Sequence, residues 1–186
     1  MRPALKVLRD EHLALSGIAK ILKADAKLLA QGKDVDAGLL DDIIVYIQTY
    51  TNQIHHPKEE DFLFAVMRLR SADSASMLNR LHQEHEQEAV LIKDLAAAAA
   101  AYGQDKAKTR ARIAAALSVY GSFLERHITA ENEEVFPLAQ EILTDADWDE
   151  IDAVFILNED PLVGSGKRHR FEALYQRIMS FGLGPI

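Results

Sequence analysis

The chain has 186 residues, of which 48% are hydrophobic, and it carries seven His, no Cys and a formal net charge of −8. This length is typical of one compact domain with a buried core. The negative balance argues against non-specific binding to nucleic acid or to an anionic membrane surface. Because there is no cysteine, disulfides, thiolate metal ligands and thiol catalysis are excluded, and any metal must be held by His and carboxylate side chains.

The first residues of the chain lack the apolar stretch of a secretory signal peptide. No apolar run approaches the roughly 18 residues that are needed to span a bilayer. We therefore expect a cytoplasmic protein without a membrane partner.

Four long segments have the periodicity of amphipathic helices, and none alternates apolar and polar residues as a strand would. The first covers 4–30, with His12 on the face of Leu5 and Leu8, and the second covers about 36–70. The third opens after a cap at 71–74, and the fourth covers about 106–143. The sequence thus predicts an all-α fold, an up-and-down four-helix bundle over residues 1–143.

The remaining residues, 144–186, contain two shorter amphipathic segments separated by a loop with two Gly and one Pro. Trp148 and Phe155 lie two turns apart on one helical face. We expect a C-terminal helical extension that packs against the bundle, with a dimer-forming surface as the alternative.

Two stretches of the sequence repeat each other. His55-His-Pro-Lys-Glu59 aligns without a gap with His127-Ile-Thr-Ala-Glu131, and Phe64 then falls over Phe136. A Glu-His pair lies upstream of each stretch at nearly the same spacing, ending at His12 in the first half and at His85 in the second. Such a repeat is typical of a chain built from two similar helical hairpins.

Each half therefore offers two imidazoles and one carboxylate. A lone His on an apolar helical face is usually a core residue, but four in equivalent places of a repeat indicate a metal site. Residues four apart lie on one helical face, which sets His and Glu side by side. The predicted ligands are His12, His55, Glu59, His85, His127 and Glu131. Nitrogen and oxygen ligation with open positions suits iron best, with manganese and zinc as alternatives.

The pattern His, His-x-x-x-Glu, His, His-x-x-x-Glu, followed by Glu-Val-Phe-Pro, resembles the hemerythrin-like, or HHE cation-binding, domains of bacteria over the first 140 or so residues. The resemblance implies a non-haem, oxygen-bridged centre of two iron ions, with Glu59 and Glu131 as bridging carboxylates and the four His as terminal ligands. Oxygen-carrying hemerythrins have His-x-x-x-His in the third helix and His-x-x-x-x-Asp in the fourth. Here these places hold Ala89 and Asn132. The chain therefore looks like a member of the branch of this family that has two Glu ligands and one His ligand fewer than the oxygen carriers. For this branch, reversible oxygen carriage is not expected.

Several neighbours of these residues remain open as contributors. His56 and Glu60 form a second His-x-x-x-Glu one residue along, although the alignment favours His55 and Glu59. Other candidates are an imidazole one turn before His85, a phenol on the face of His127 and two carboxylates that could orient imidazoles from behind: His82, Tyr120, Glu11 and Glu84. The seventh His, His169, lies in a basic Lys-Arg-His-Arg stretch and is assigned no role.

We predict a metal-binding protein whose di-iron centre reacts with or senses a small oxidant, namely dioxygen, hydrogen peroxide or nitric oxide. Dedicated catalysis is less expected, and the expected assembly is a monomer or homodimer. The alternatives are a di-iron oxidase or peroxide-decomposing enzyme, an iron storage or delivery protein, and a helical interaction module without metal. The predicted ligands contain none of the Glu-x-x-His pairs of ferritin-type enzymes, which counts against that version of the enzyme.

Overall fold

A computed structural model describes residues 2–155, 160–163 and 170–181, and within these ranges all regular structure is helical, with no strand. The prediction of an all-α protein is confirmed. The α-helices are α1 (Pro3–Ala30), α2 (Ala37–Tyr46), α3 (His56–Lys58), α4 (Ala65–Arg70), α5 (Ala75–Gln104), α6 (Lys106–Ala130), α7 (Phe136–Ile142), α8 (Asp145–Phe155) and α9 (Glu172–Met179). None of the described helices is long and apolar enough to cross a membrane.

The turns between the long helices follow from their capping residues. After α1, Gly32 adopts φ +79°, a left-handed conformation that favours glycine, and the N–H of Lys33 donates back to Leu28 O. Asp36 caps α2 by accepting hydrogen bonds from two backbone N–H groups. Asp105 caps α6 in the same way, through the N–H of Lys108. These caps set the points at which the chain reverses.

The helices pack around two apolar clusters. In α1, residues 14–29 contribute to the first cluster and residues 4–8 to the second. The polar pair Glu11 and His12 lies between these stretches. The same interruption occurs in α5, where His85 and Glu88 separate Leu81 of the second cluster from Ile92 of the first. The polar residues of successive helices therefore form one buried layer between two apolar ones.

Helix α6 packs closely against α1 and α5. A Cβ added at Gly121 of α6 would lie 3.1 Å from Ala19 O and 3.3 Å from Leu22 Cβ of α1. Such distances are shorter than ordinary van der Waals contact, so a larger residue would require the neighbouring atoms of α1 to move by a few tenths of an ångström. Gly121 keeps α1 and α6 close next to the polar layer.

Three stretches of the long helices are π-helical: Ile47–His55, Glu59–Phe64 and Glu131–Val135. Glu59 and Glu131 each begin one of them. Pro57 lies in the short α3, between two of these π-helical stretches. Wide turns of this kind occur frequently at functional sites. Here they accompany the burial of four polar side chains within five residues, namely those of His55, His56, Lys58 and Glu59.

The C-terminal helices pack on the long ones. Helix α8 lies against α1 and buries Trp148 and Phe155 in the second cluster, while α9 lies against α1 and α2 and buries Leu174 and Ile178 in the first. His169 lies outside the described residues. The division into a bundle of residues 1–143 and an extension of residues 144–186 stays a prediction.

Candidate metal centre

The structure brings all six predicted ligands into the polar layer, and all six are buried. Together with His56, they fall into two groups in which one ligand atom from each residue lies within 4.8 Å of the others. The first group consists of His12, His55, Glu59 and Glu131, and we call it the two-imidazole position. The second group, His56, His85 and His127, is called the three-imidazole position.

The two glutamates lie between the two positions. Glu131 carboxylate oxygens are 3.3 Å from Nε2 of His12, 3.5 Å from Nε2 of His85 and 3.4 Å from Nε2 of His127. Glu59 oxygens are 3.6 Å from Nε2 of His12, of His55 and of His85. Each carboxylate thus faces imidazoles of both groups, which is the arrangement needed to bridge two cations.

The donor atoms that face this space have no hydrogen-bond partner. They are both oxygens of Glu59, both oxygens of Glu131 and the Nε2 atoms of His12, His85 and His127. Buried polar groups are normally hydrogen-bonded, and a group left without a partner costs about 1–3 kcal/mol. A cluster of seven such atoms, all nitrogen or carboxylate oxygen, fits a pair of metal ions of the borderline type.

The imidazoles are held from behind by a hydrogen bond at Nδ1. Within the first half, Glu11 Oε2 lies 2.6 Å from His55 Nδ1. Within the second, Glu84 Oε2 lies 2.9 Å from His127 Nδ1. The sequence left these two carboxylates as candidates for this role, and the contacts place them in it. A partner at Nδ1 directs Nε2 towards the metal and raises the basicity of the ligand.

The imidazoles of His85 and His12 are each held by a residue from the opposite half of the sequence repeat. Glu60 Oε1 lies 2.9 Å from His85 Nδ1, and Asn132 Oδ1 lies 3.3 Å from His12 Nδ1. The aromatic residues cross over in the same way: the Phe64 ring stacks on His85, and the Phe136 ring on His12. The repeat in the sequence therefore becomes a two-fold pseudo-symmetry that includes the groups behind the ligands.

The electrostatics of the cluster suit a cation. Burial would lower the pKa of His55 and of His85, but the surrounding carboxylates outweigh it and raise the pKa to about 9 for His55 and about 10 for His85. Burial by itself would raise the pKa of Glu59 and Glu131, yet the facing imidazoles hold both pKa values below the usual range. The space between these carboxylates and imidazoles therefore favours positive charge, either as protons on the imidazoles or as a metal ion.

The structure places the imidazoles of both His55 and His56 in the polar layer, each in one of the two groups. The His56 ring stacks on His85 with centroids 4.0 Å apart, and its Nε2 lies 3.4 Å from Glu88 Oε2. Glu88 is fully buried and accepts a hydrogen bond of 2.7 Å from the Tyr120 hydroxyl. Tyr120 thus contacts a carboxylate behind the site. His56, in α3, is a fifth imidazole in the cluster. Oxygen-carrying hemerythrins have an additional His where this chain has Ala89, in α5.

Sequence reasoning missed Glu88 and Lys58. Glu88 lies one turn after His85 on the same helical face, which was a usable signal. Lys58 gave none, since lysine is rarely buried. Its Nζ is 2.6 Å from Glu11 Oε1 and 3.2 Å from the Tyr50 hydroxyl. His82, by contrast, is half-exposed and contacts Glu60 at 3.1 Å.

Two surface clefts reach the three-imidazole position. One, of about 560 Å³, is lined by His127, Glu84 and Phe123 among others. The other, of about 300 Å³, is lined by His56, His85 and Ala89 among others. The small side chain of Ala89 leaves this second cleft open beside the imidazoles.

A protein whose described residues are helical and bury five imidazoles around two carboxylates belongs to the class of candidate metal-binding proteins. Comparison with family models gives a match to the Hemerythrin HHE cation binding domain over residues 4–139. The chain belongs to this family, as the ligand pattern indicated. Comparison with curated proteins and comparison with solved structures each found no match.

Proposed function

We propose that this protein holds two iron ions within an up-and-down arrangement of its four long helical segments, and that the pair reacts with or senses a small oxidant. The observation that carries the proposal is the position of Glu59 and Glu131, each of which faces imidazoles of both groups at 3.3–3.6 Å. A mononuclear site would need only one of the two groups.

The residues would divide the work in three ways. Glu59 and Glu131 would bridge the irons, and the five imidazoles would hold them from the sides. The acceptors at Nδ1 fix the orientation of four of those imidazoles. The rings of Phe64 and Phe136 stack on the imidazoles of His85 and His12 and pack them in place. When bound, the iron pair supplies one-electron redox chemistry at each ion.

The donor count supports reaction with an external molecule. The two-imidazole position has two imidazoles and the shared carboxylates, which is fewer protein donors than an octahedral iron takes. The three-imidazole position has one donor more. We propose that dioxygen or peroxide oxidises the diferrous protein without forming a long-lived oxygen adduct.

The test has two parts. Metal analysis after anaerobic reconstitution should give about two irons per chain, and zero or one would contradict the dinuclear proposal. Stopped-flow mixing of diferrous protein with oxygenated buffer should then show direct conversion to the oxidised form. If a coloured adduct persists and the diferrous state returns when oxygen is removed, the protein is an oxygen carrier.

A further inference from the structure

The three-imidazole position is backed by carboxylates at every imidazole. Glu60 lies 2.9 Å from His85 Nδ1 and Glu84 lies 2.9 Å from His127 Nδ1. Glu88, which is fully buried, lies 3.4 Å from Nε2 of the His56 ring. Three acidic side chains therefore stand behind this position.

The two-imidazole position is backed differently. Where the pseudo-symmetry places Glu60 behind His85, it places the neutral amide of Asn132 behind His12. The carboxylate that contacts an imidazole on this side, Glu11, has the buried ammonium of Lys58 at 2.6 Å. A second buried carboxylate, Asp160, accepts a hydrogen bond from the Tyr46 hydroxyl and acts on Glu11 and His55 only through its charge. The net charge in contact with the imidazoles of this position is therefore close to zero.

Cations also lie near two of the carboxylates on the three-imidazole side, but they compensate less. Arg68 is 3.7 Å from Glu60 and Arg80 is 3.4 Å from Glu84, and the side chains of these arginines are about one-third and 44% exposed. Exposed pairs are weakened by water and salt, whereas the buried pair of Lys58 and Glu11 is not. The difference in charge between the two positions therefore persists.

We propose that the first electron to leave the diferrous pair leaves the iron at the three-imidazole position, because of the carboxylates behind it. This inference rests on the proposed di-iron function. A carboxylate behind an imidazole makes it a stronger donor and stabilises the higher charge on the metal. One electron passes to an external one-electron oxidant such as ferricyanide, and the ferric charge stays beside Glu60, Glu84 and Glu88. We expect at least a ten-fold preference for that position, which corresponds to about 59 mV.

The pseudo-symmetry supplies two complementary variants. Asn132→Asp adds a carboxylate behind His12, and Glu60→Gln removes one from behind His85. If the ferric charge lies at the three-imidazole position, each change makes the positions more alike. The two one-electron potentials then move together, and the largest mixed-valence fraction in a ferricyanide titration, measured by electron paramagnetic resonance, decreases. Asp34→Asn is the control, because it removes a surface carboxylate paired with Lys106. It should change neither the one-electron potentials nor the mixed-valence fraction.

If the ferric charge lies instead at the two-imidazole position, each substitution makes the two positions less alike. The mixed-valence fraction should then increase in both variants. A larger mixed-valence fraction in either variant, or no change in both, overturns the inference. Iron content is measured before every titration. Wild-type protein without two irons contradicts the proposed function itself, which is a separate outcome. If Glu60→Gln does not retain its iron, the nearly isosteric Asn132→Asp carries the test.

Discussion

Removal of metal should destabilise this protein, and more strongly as the pH rises. In the metal-free molecule, the buried oxygens of Glu59 and Glu131 have only protonated imidazoles to compensate them. The raised pKa values of His55 and His85 mean that folding favours their protonated forms. The stability gained from protonating these imidazoles is fully present below pH 6.5, which is about the pKa of His in the unfolded chain. It is lost as the pH rises through the folded-state pKa values of about 9–10.

The size of the effect follows from the same values. A rise in the pKa of His55 from 6.5 to about 9 corresponds to about 3 kcal/mol of stability at low pH. Metal at about 100 times its dissociation constant adds about 3 kcal/mol per site. For a chain of this size, 1 kcal/mol shifts Tm by about 2–4 °C, so one filled site raises Tm by about 6–12 °C.

The assay is thermal unfolding of the iron-loaded and the chelator-treated protein between pH 6 and 9. The metal-free Tm should fall across this range, while the loaded protein should change less, because metal replaces the protons. His82→Ala is the matched control, since this half-exposed imidazole belongs to neither ligand group. A melting curve that does not respond to chelator at any pH would refute a metal site in the core.

Four further substitutions test particular contacts. Glu131→Ala should abolish the paired metal site, whereas Glu60→Ala should retain two metals with affinity about 10–100-fold weaker, as measured by metal competition; the reverse order would move the bridge to Glu60. Lys58→Met should cost about 3–5 kcal/mol in urea unfolding, because it leaves Glu11 buried without its cation. A loss below about 1 kcal/mol would mean that water replaces the ammonium. Gly121→Ala should have a net cost of up to about 2 kcal/mol, because strain of about 1–3 kcal/mol at the contact with α1 exceeds the roughly 1 kcal/mol that alanine gains over glycine in a helix, and a gain in stability would show that α1 gives way at this contact.

The sequence was informative where chemistry repeats at a fixed interval. Helical period and turn residues predicted an all-α protein, which the structure confirms. The doubled His-x-x-x-Glu predicted the family, because residues four apart share a helical face wherever the helix packs. The six residues predicted from it lie together in the polar layer, and their binding of metal stays a prediction.

The tertiary structure decided what depends on contacts between helices. No spacing along the chain shows that His56 lies on His85, that Glu88 reaches His56 from another helix, or that Lys58 is buried against Glu11. The π-helical stretches alter the regular period, so that four neighbouring polar residues, His55, His56, Lys58 and Glu59, are buried together. The sequence by itself determined six candidate ligands, since their choice depends on residue type and local period. Only the packing of the helices decided which charges stand behind each ligand, because those partners lie far apart in the chain.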